Sequence, residues 1–577
     1  MAQTATSTTR PSQEKTDKMI FLFHYDPAFI EGLRRHDLLH NYGFRLLNTG
    51  FDRRSFRERW TQNPALEGAR TSNLFYYIDR ITGGMPYQNL DGIEAVAGKL
   101  KGDPRFLGFQ VHEWGNSPIH DYHRIYKLLL DKELPFDYEH FAVYQGRTVP
   151  PYFSSGDYHT YQRLFEPLHT LEDVVGYHEG YFRQIIKRTW GQVVAVNGYI
   201  QLYHTALRLG AKNVMAEIGN QVPLTALQIA CVRGAAREFG KPFGVYYEPW
   251  GGKPFGCPCA LGYSPWFGNK KDPDGQDGVH RIRPGLGSSR SLQRRLLFFA
   301  WLSGATYWAE EWGAENYFGN WQDYPLTQYG QIVKEFLEVS SPYNRPEPMV
   351  PAVIIMPPGA GGIDLRYLFG EREQLYGLVG PDQFHVRLRQ FAKDVFAARS
   401  RRYGADDFNL TPSPWIGCFD VLSVEAPEAL LSQYGLVIYF DQEQAERSTV
   451  ERQRVFVYQG NKQDSERCMK LVSKLLPVLV EGEVGCVQAR GDGKYFVGVF
   501  NNLGVIKTEG NETTDSKAVR SVIIHLPEVQ VDYLVGAEYV AGQKPGMVEM
   551  SVPSGSLAII AFPDHIIPSW RTSNADR

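Results

Sequence analysis

From Met19 to about Ser340 the chain alternates short apolar runs with stretches of helical periodicity. Apolar runs of strand length separated by amphipathic segments of 10 or more residues are the mark of a parallel sheet wound with helices. The runs predict strands at Met19–His24, Phe44–Asn48, Leu74–Asp79, Phe106–Glu113, Gln192–Asn197, Asn213–Glu217, Phe243–Glu248 and Ala305–Glu311. Helices are expected at Ile119–Lys132, Tyr203–Leu209, Leu224–Phe239, Ser291–Leu302 and Leu326–Val339. Eight such strands predict a (β/α)8 TIM barrel over residues 19–343, with function gathered at the C-terminal strand ends. Two long insertions, Leu134 to about Asp173 and Lys253–Gly287, follow the fourth and seventh strands and are rich in aromatic, Gly and Pro residues. Loops of that length in a compact domain are expected to wall a cleft.

The pattern changes after the Pro-rich linker Ser341–Pro348. A strand at Val350–Met356 opens into Pro-Pro-Gly-Ala-Gly-Gly, a helix follows at Asp382–Ala398, and a second buried strand lies at Leu436–Phe440. This predicts a small open α/β domain, Rossmann-like, over 348–480, with an assembly role since it carries no candidate chemistry. Its Gly-rich turn has no following Gly-Lys-Ser/Thr and fits no dinucleotide spacing, so a tight turn is expected there. From 481 to 570, strands at Tyr495–Phe500, Ser521–Leu526, Tyr533–Val535 and Ser556–Phe562 between Gly, Asn and Pro turns predict a C-terminal β-sandwich. Residues 1–18, polar and without an apolar stretch, are expected to be disordered.

Composition narrows the function. A net charge of -3 with dispersed Lys and Arg excludes a basic field for nucleic acid or an acidic membrane surface. No run of 18 apolar residues occurs, so no membrane span is expected. The compartment stays open between cytoplasm and secretion after loss of a signal segment. Six cysteines in 577 residues make no disulfide framework. Cys257-Pro-Cys259 lacks a second pair at zinc spacing, so neither metal nor cofactor is expected.

The strand ends carry the chemistry. They read Ile-Asp79-Arg, His112-Glu113-Trp114-Gly-Asn116, Asn197-Gly-Tyr199, Ala-Glu217-Ile-Gly-Asn, Tyr-Tyr247-Glu248-Pro-Trp250 and Trp308-Ala-Glu310-Glu311-Trp312. Five of the eight strands end in an acid. Like charges brought together on one face raise one another's pKa and cost stability, so convergence of this kind calls for a use. Glycoside hydrolysis supplies one. It needs a carboxylic acid to protonate the leaving oxygen and an ionised one to attack carbon or activate water, with aromatic faces and polar groups holding the sugar. Glu113 and Glu248, on strands facing each other across a barrel, are the expected catalytic pair, with Glu217 and Glu311 in reserve. Asp79, His112, Trp114, Asn116, Asn197, Tyr199, Glu217, Tyr247, Trp250, Trp308, Glu311 and Trp312 are the candidate substrate-binding residues.

Acids at the ends of strands four and seven resemble clan A of the glycoside hydrolases. The order of barrel, small α/β domain and β-sandwich resembles the three-domain layout of family 42 β-galactosidases. The resemblance implies Glu113 as acid/base and Glu248 as nucleophile of a retaining mechanism. The carboxylate chemistry predicts a carbohydrate substrate, and the assembly role of the small domain predicts a homo-oligomer. His112 stands where clan A has Asn before the acid/base, and Cys257 and Cys259 do not match the zinc cysteines of some family 42 enzymes. The chain is therefore placed as a divergent or separate family. Two other readings remain at this point: a metal-assisted barrel hydrolase or lyase using the acids with His112 or His24, and a non-catalytic carbohydrate-binding barrel.

Overall fold

The computed structural model describes residues 17–48, 54–82, 90–115, 170–198, 201–219, 222, 224–248, 288–311, 317–362, 382–398, 406–508 and 511–567. The expected N-terminal segment up to residue 16, the helix Ile119–Lys132, nearly all of the first insertion and the whole second insertion to residue 287 lie outside them. So do Asn116, Tyr199, Trp250, Trp312, Cys257 and Cys259.

Eight parallel strands close into a barrel: β1 (Ile20–His24), β2 (Tyr42–Leu46), β3 (Tyr76–Thr82), β4 (Phe106–His112), β5 (Val193–Asn197), β6 (Asn213–Gly219), β7 (Phe243–Glu248) and β8 (Tyr307–Glu310). β1 pairs with β2 on one side and β8 on the other, which completes the ring. Every strand expected from the sequence is present, displaced by a few residues at its ends.

Because successive side chains on a strand point to opposite faces, each strand feeds two cores. Leu22, Tyr77, Leu107, Val194, Val196, Met215, Tyr246 and Tyr307 fill the lumen as one cluster. Their neighbours in sequence, among them Phe21, Ile78, Val193, Ala216, Val245, Tyr247 and Trp308, pack outward against the helices in another. The surrounding helices include α1 (Pro27–Arg35), α2 (Leu171–Arg188), α3 (Tyr203–Arg208), α4 (Thr225–Glu238), α5 (Arg290–Leu302) and α6 (Gln328–Ser340). Their starts follow capping chemistry: Asp26 and Ser289 accept from backbone N–H groups three residues on, and Thr170 forms a capping box with Asp173.

The second unit is a parallel four-stranded sheet in the order β11 (Phe419–Ser423), β10 (Ala352–Met356), β12 (Leu436–Tyr439), β13 (Val455–Val457). The Gly-rich stretch after β10 is a turn entering the 3-10 segment Ala360–Gly362. The C-terminal unit packs two antiparallel sheets. One is β14 (Leu479–Glu481), β19 (Arg520–His525), β22 (Met547–Val552) and β21 (Val540–Lys544); the other runs β20 (Asp532–Val535), β23 (Leu557–Pro563), β16 (Lys494–Phe500), β15 (Gly485–Gly491) and β9. Its edge strand β9 is Glu347–Pro348, so the linker before the small sheet belongs to the sandwich. β17 (Val505–Thr508) and β18 (Asn511–Thr514) form a hairpin.

The units are locked through the barrel helices. Arg233 on α4 donates from Nε to Asp420 on β11 at 2.6 Å, both nearly or wholly buried. Glu512 on the hairpin accepts from Arg290 N at 2.9 Å and Ser291 N at 3.3 Å, placing a carboxylate on the positive end of α5. Gly234 lets α4 touch the small sheet: a Cβ there would lie 1.9 Å from the carbonyl oxygen of Val421. Gly234→Ala must push helix and strand apart, and a loss of about 1–3 kcal/mol in denaturant unfolding is expected, the usual cost of overpacking. Unchanged stability would show that this contact is soft.

Candidate active site

The upper layer of the barrel lumen is polar. Arg45 on β2 donates from Nη2 to Asp79 Oδ2 at 2.7 Å and to the Tyr246 hydroxyl at 3.0 Å, and from Nη1 to the carbonyl of Glu310. Asp79 is 1% exposed and Arg45 5%, so this pair is buried as a unit across β2, β3 and β7. A buried guanidinium needs its donors satisfied, and three strands share the task. Beside it, Arg80 breaks the alternation of β3. Its φ is 47°, in the left-handed region, and the β3–β4 register shifts between Ile78 and Thr82. The irregularity turns Arg80 inward, where its guanidinium pairs with Glu311 and reaches the Tyr246 hydroxyl at 3.4 Å.

From Arg80 a hydrogen-bond chain reaches His112, whose ring faces Glu217 on β6. Arg80 N donates to Gln110 Oε1 at 3.3 Å, which fixes that amide, so Gln110 Nε2 donates to His112 Nδ1 at 3.2 Å. Nδ1 is then the acceptor and the ring proton sits on Nε2, 3.4 Å from Glu217 Oε1. Burial, reinforced by Arg80 and Arg45, holds the His112 pKa well below its ordinary value, so the ring is neutral. The ring makes its polar approach to Glu217.

Glu217 is the centre of the site. It is fully buried, and its carboxyl makes no geometric hydrogen bond among the described residues. Burial raises its pKa far above the carboxylate range, and the charges of Glu248 and Glu113 raise it further against the pull of Arg80. Ligand atoms of His112, Glu113 and Glu217 lie within 4.8 Å of one another, and so do those of Glu217, Glu248 and Glu311. Glu217 thus stands between the acid after β4 and the acid ending β7. Either triad also has the donors a divalent cation would use.

The backbone around the two outer acids is set by close contacts. Gly219, with φ at 151°, lies against β7 so tightly that a Cβ would come 2.2 Å from the carbonyl oxygen of Glu248. Glu113 has φ 46°, a costly conformation for a residue with a side chain. The turn that follows is gripped from both sides: Asn197 Oδ1 accepts from Gly115 N at 3.0 Å, and His178 Nε2 on α2 donates to Gly115 O at 2.5 Å. Trp114 has no exposed surface and packs on Phe182, with ring centroids 4.3 Å apart.

Several residues expected to touch sugar therefore sit behind the site. Trp114 and Asn197 brace the Glu113 turn from the helix layer. Tyr247 and Trp308 stack on each other at 5.5 Å outside the barrel wall. The lumen receives Asp79, His112, Glu217, Glu248 and Glu311. Arg45, Arg80, Gln110, Tyr246 and His178 were not singled out from the sequence. Alternation from Glu248 points to Tyr246 rather than Tyr247, and a lone Arg in the apolar β2 run was a visible signal for Arg45.

No protein-family model matches the chain, and no curated protein matches it significantly. Among solved structures it is similar to a cold-adapted β-galactosidase from Rahnella sp. R3, at 10% identity and TM-score 0.40, over 95% of this chain and 99% of that one. It is also similar to α-L-fucosidase isoenzyme 2 from Paenibacillus thiaminolyticus, at 9% identity and TM-score 0.41, again over 95% and 99%. At these identities and scores the likeness says nothing of substrate or chemistry.

One group behind the wall gives a pH test. Glu310 faces outward, accepting from Trp308 Nε1 and Gln293 Nε2 at 3.0 Å each, and burial raises its pKa from 4.5 to about 7 against those bonds. The folded chain holds this proton more tightly than the unfolded one, so stability falls as pH rises from about 4.5 through 7. Glu310→Gln keeps the acceptor and cannot ionise. Its melting temperature relative to the parent protein is expected to climb across that window and level off above it; a difference independent of pH would contradict the assignment.

Proposed function

We propose that this protein is a glycoside hydrolase that cleaves O-glycosidic bonds of oligo- or polysaccharides with two carboxyl groups and retention of configuration. The observation that carries this reading is the fully buried Glu217 within 4.8 Å of both Glu113 and Glu248 at the C-terminal mouth of the barrel. Burial favours the neutral form of the central carboxyl, which lowers like charge beside Glu248 as nucleophile and Glu113 as acid and then base. In the first step Glu248 attacks the anomeric carbon as Glu113 gives its proton to the leaving oxygen. In the second, Glu113 takes a proton from water, which displaces Glu248 and releases the sugar. Arg80, paired with Glu311, brings one positive charge to the same wall. Glu217 and Glu311 are then left to bind sugar hydroxyls.

A second reading has its own support, since two triads with metal-ligand spacing share Glu217. A divalent cation there would activate water in a hydrolase or lyase. Activity on aryl glycosides and oligosaccharides, before and after dialysis against chelator, separates the two readings. Activity that survives chelation supports the two-carboxylate mechanism, and loss restored by cation supports the metal.

Glu113→Gln and Glu248→Gln are each expected to lower kcat/KM by at least about 100-fold with the fold intact. For Glu113→Gln the loss should shrink on substrates whose leaving group needs no protonation. Near-normal turnover in both would move the roles to Glu217 and Glu311. The first-formed sugar, followed by proton NMR, is expected to keep the anomeric configuration of the substrate; the opposite anomer would reject retention.

A further inference from the structure

The N-terminal face of the barrel, opposite the carboxyl cluster, holds a cavity of about 570 Å³. It lies under the turn from α4 to β7, the turn from α5 to β8 and the linker that becomes β9. Phe243 lines it and Glu248 ends the same strand, so about 16 Å of β7 separates it from the cluster at 3.3 Å per residue.

Its lining is rich in cationic donors. Arg233 and Arg237 share one carboxylate, Asp420, at 2.6 Å each, and Asp420 takes a further hydrogen bond from the Tyr434 hydroxyl at 2.7 Å. One carboxylate between two guanidiniums leaves positive charge over. Lys241 adds an exposed ammonium at the rim. Arg345 donates from Nη1 to Gly304 O at 2.7 Å, but its Nε is buried and makes no hydrogen bond among the described residues. The Ser303 hydroxyl, fully buried in the same lining, makes none either. The facing anions are Glu347 in the lining and Asp17 near Arg345. With Asp420 they make three anions against four cations among the described residues. Buried donors without acceptors are costly, and a group that only accepts relieves them.

We propose that this cavity binds a small oxyanion, a phosphate monoester whose polar body fills the volume beyond the phosphate. Guanidinium groups meet phosphate oxygens with paired, charge-assisted bonds, and Arg345 Nε and Ser303 supply further donors. A volume of this size suits a ligand larger than inorganic phosphate. Lined by barrel helices and by the linker strand of the sandwich, and backed by Asp420 of the small sheet, the bound anion would tie the three units together. The site is independent of the chemistry at the other face.

The full chain is heated in increasing inorganic phosphate or glucose 6-phosphate, with sodium chloride at matched ionic strength as reference. The melting temperature is expected to rise saturably with both, at lower half-saturation for the sugar phosphate. Lys241→Gln changes an exposed side chain and should raise the half-saturation roughly tenfold, the worth of one charge-assisted contact, with the melting temperature in chloride unchanged. Arg345→Gln should abolish the effect. A response to inorganic phosphate that is no weaker than to the ester would overturn the ester and leave free phosphate as the ligand. A rise no greater than in chloride, or the same half-saturation in Lys241→Gln as in the parent protein, would overturn the site.

Discussion

Four carboxyl groups crowded at the mouth of the barrel cannot all be ionised at no cost. Glu217, Glu248 and Glu311 offer oxygens within 4.8 Å of one another, and Glu113 joins Glu217 at the same range. Like charges this close in low dielectric repel strongly, so protons and fixed cations must share the load. The fold provides both. Arg80 pairs with Glu311, and burial raises the pKa of Glu217 so that its neutral form is favoured. The polar layer beneath, from Arg45 and Asp79 to Tyr246 and His112, holds these groups at their stations through bonds that cross five strands. Remove that layer and the cluster has neither its charge balance nor its geometry.

The same constraint explains the strained backbone. Alternation along β3 sends Asp79 into the lumen and would send Arg80 out to the helices; the register shift and left-handed φ turn it back. Glu113 sits just past the last regular residue of β4 in a left-handed conformation. Asn197 and His178 grip the next peptide but one, and Trp114 is anchored in the core. Contacts with β5 and α2 offset the conformational cost.

Much of this was legible in the sequence. Eight apolar runs separated by helical periodicity identify the barrel, and acids at the ends of the runs mark its functional rim. The parity of side chains was also available, though unused: Glu248 inward requires Tyr246 inward and Tyr247 outward. The same rule places Trp308 and Glu310 behind the wall and Glu311 within it. Proximity in sequence to an acid was a poor guide, because in a strand the nearest neighbour faces the other way. Other features had no local signal. That His112 serves Glu217 depends on Gln110, Arg80 and the β3–β4 register together, and the use of Glu347–Pro348 as an edge strand of the sandwich depends on a partner more than a hundred residues away.

In the proposed mechanism Glu248 forms a covalent bond to sugar during turnover. It is tested most directly by incubating the protein with 2-deoxy-2-fluoro glycosides carrying activated leaving groups, built on a sugar that it hydrolyses, then mapping the labelled peptide by mass spectrometry. The fluorine slows both steps by disfavouring the charged transition state, and the good leaving group restores the first, so the intermediate accumulates. The account predicts one added sugar on the peptide that contains Glu248, lost in Glu248→Gln. A label on Glu217 or Glu311, or continued hydrolysis with no label on any residue, would contradict it.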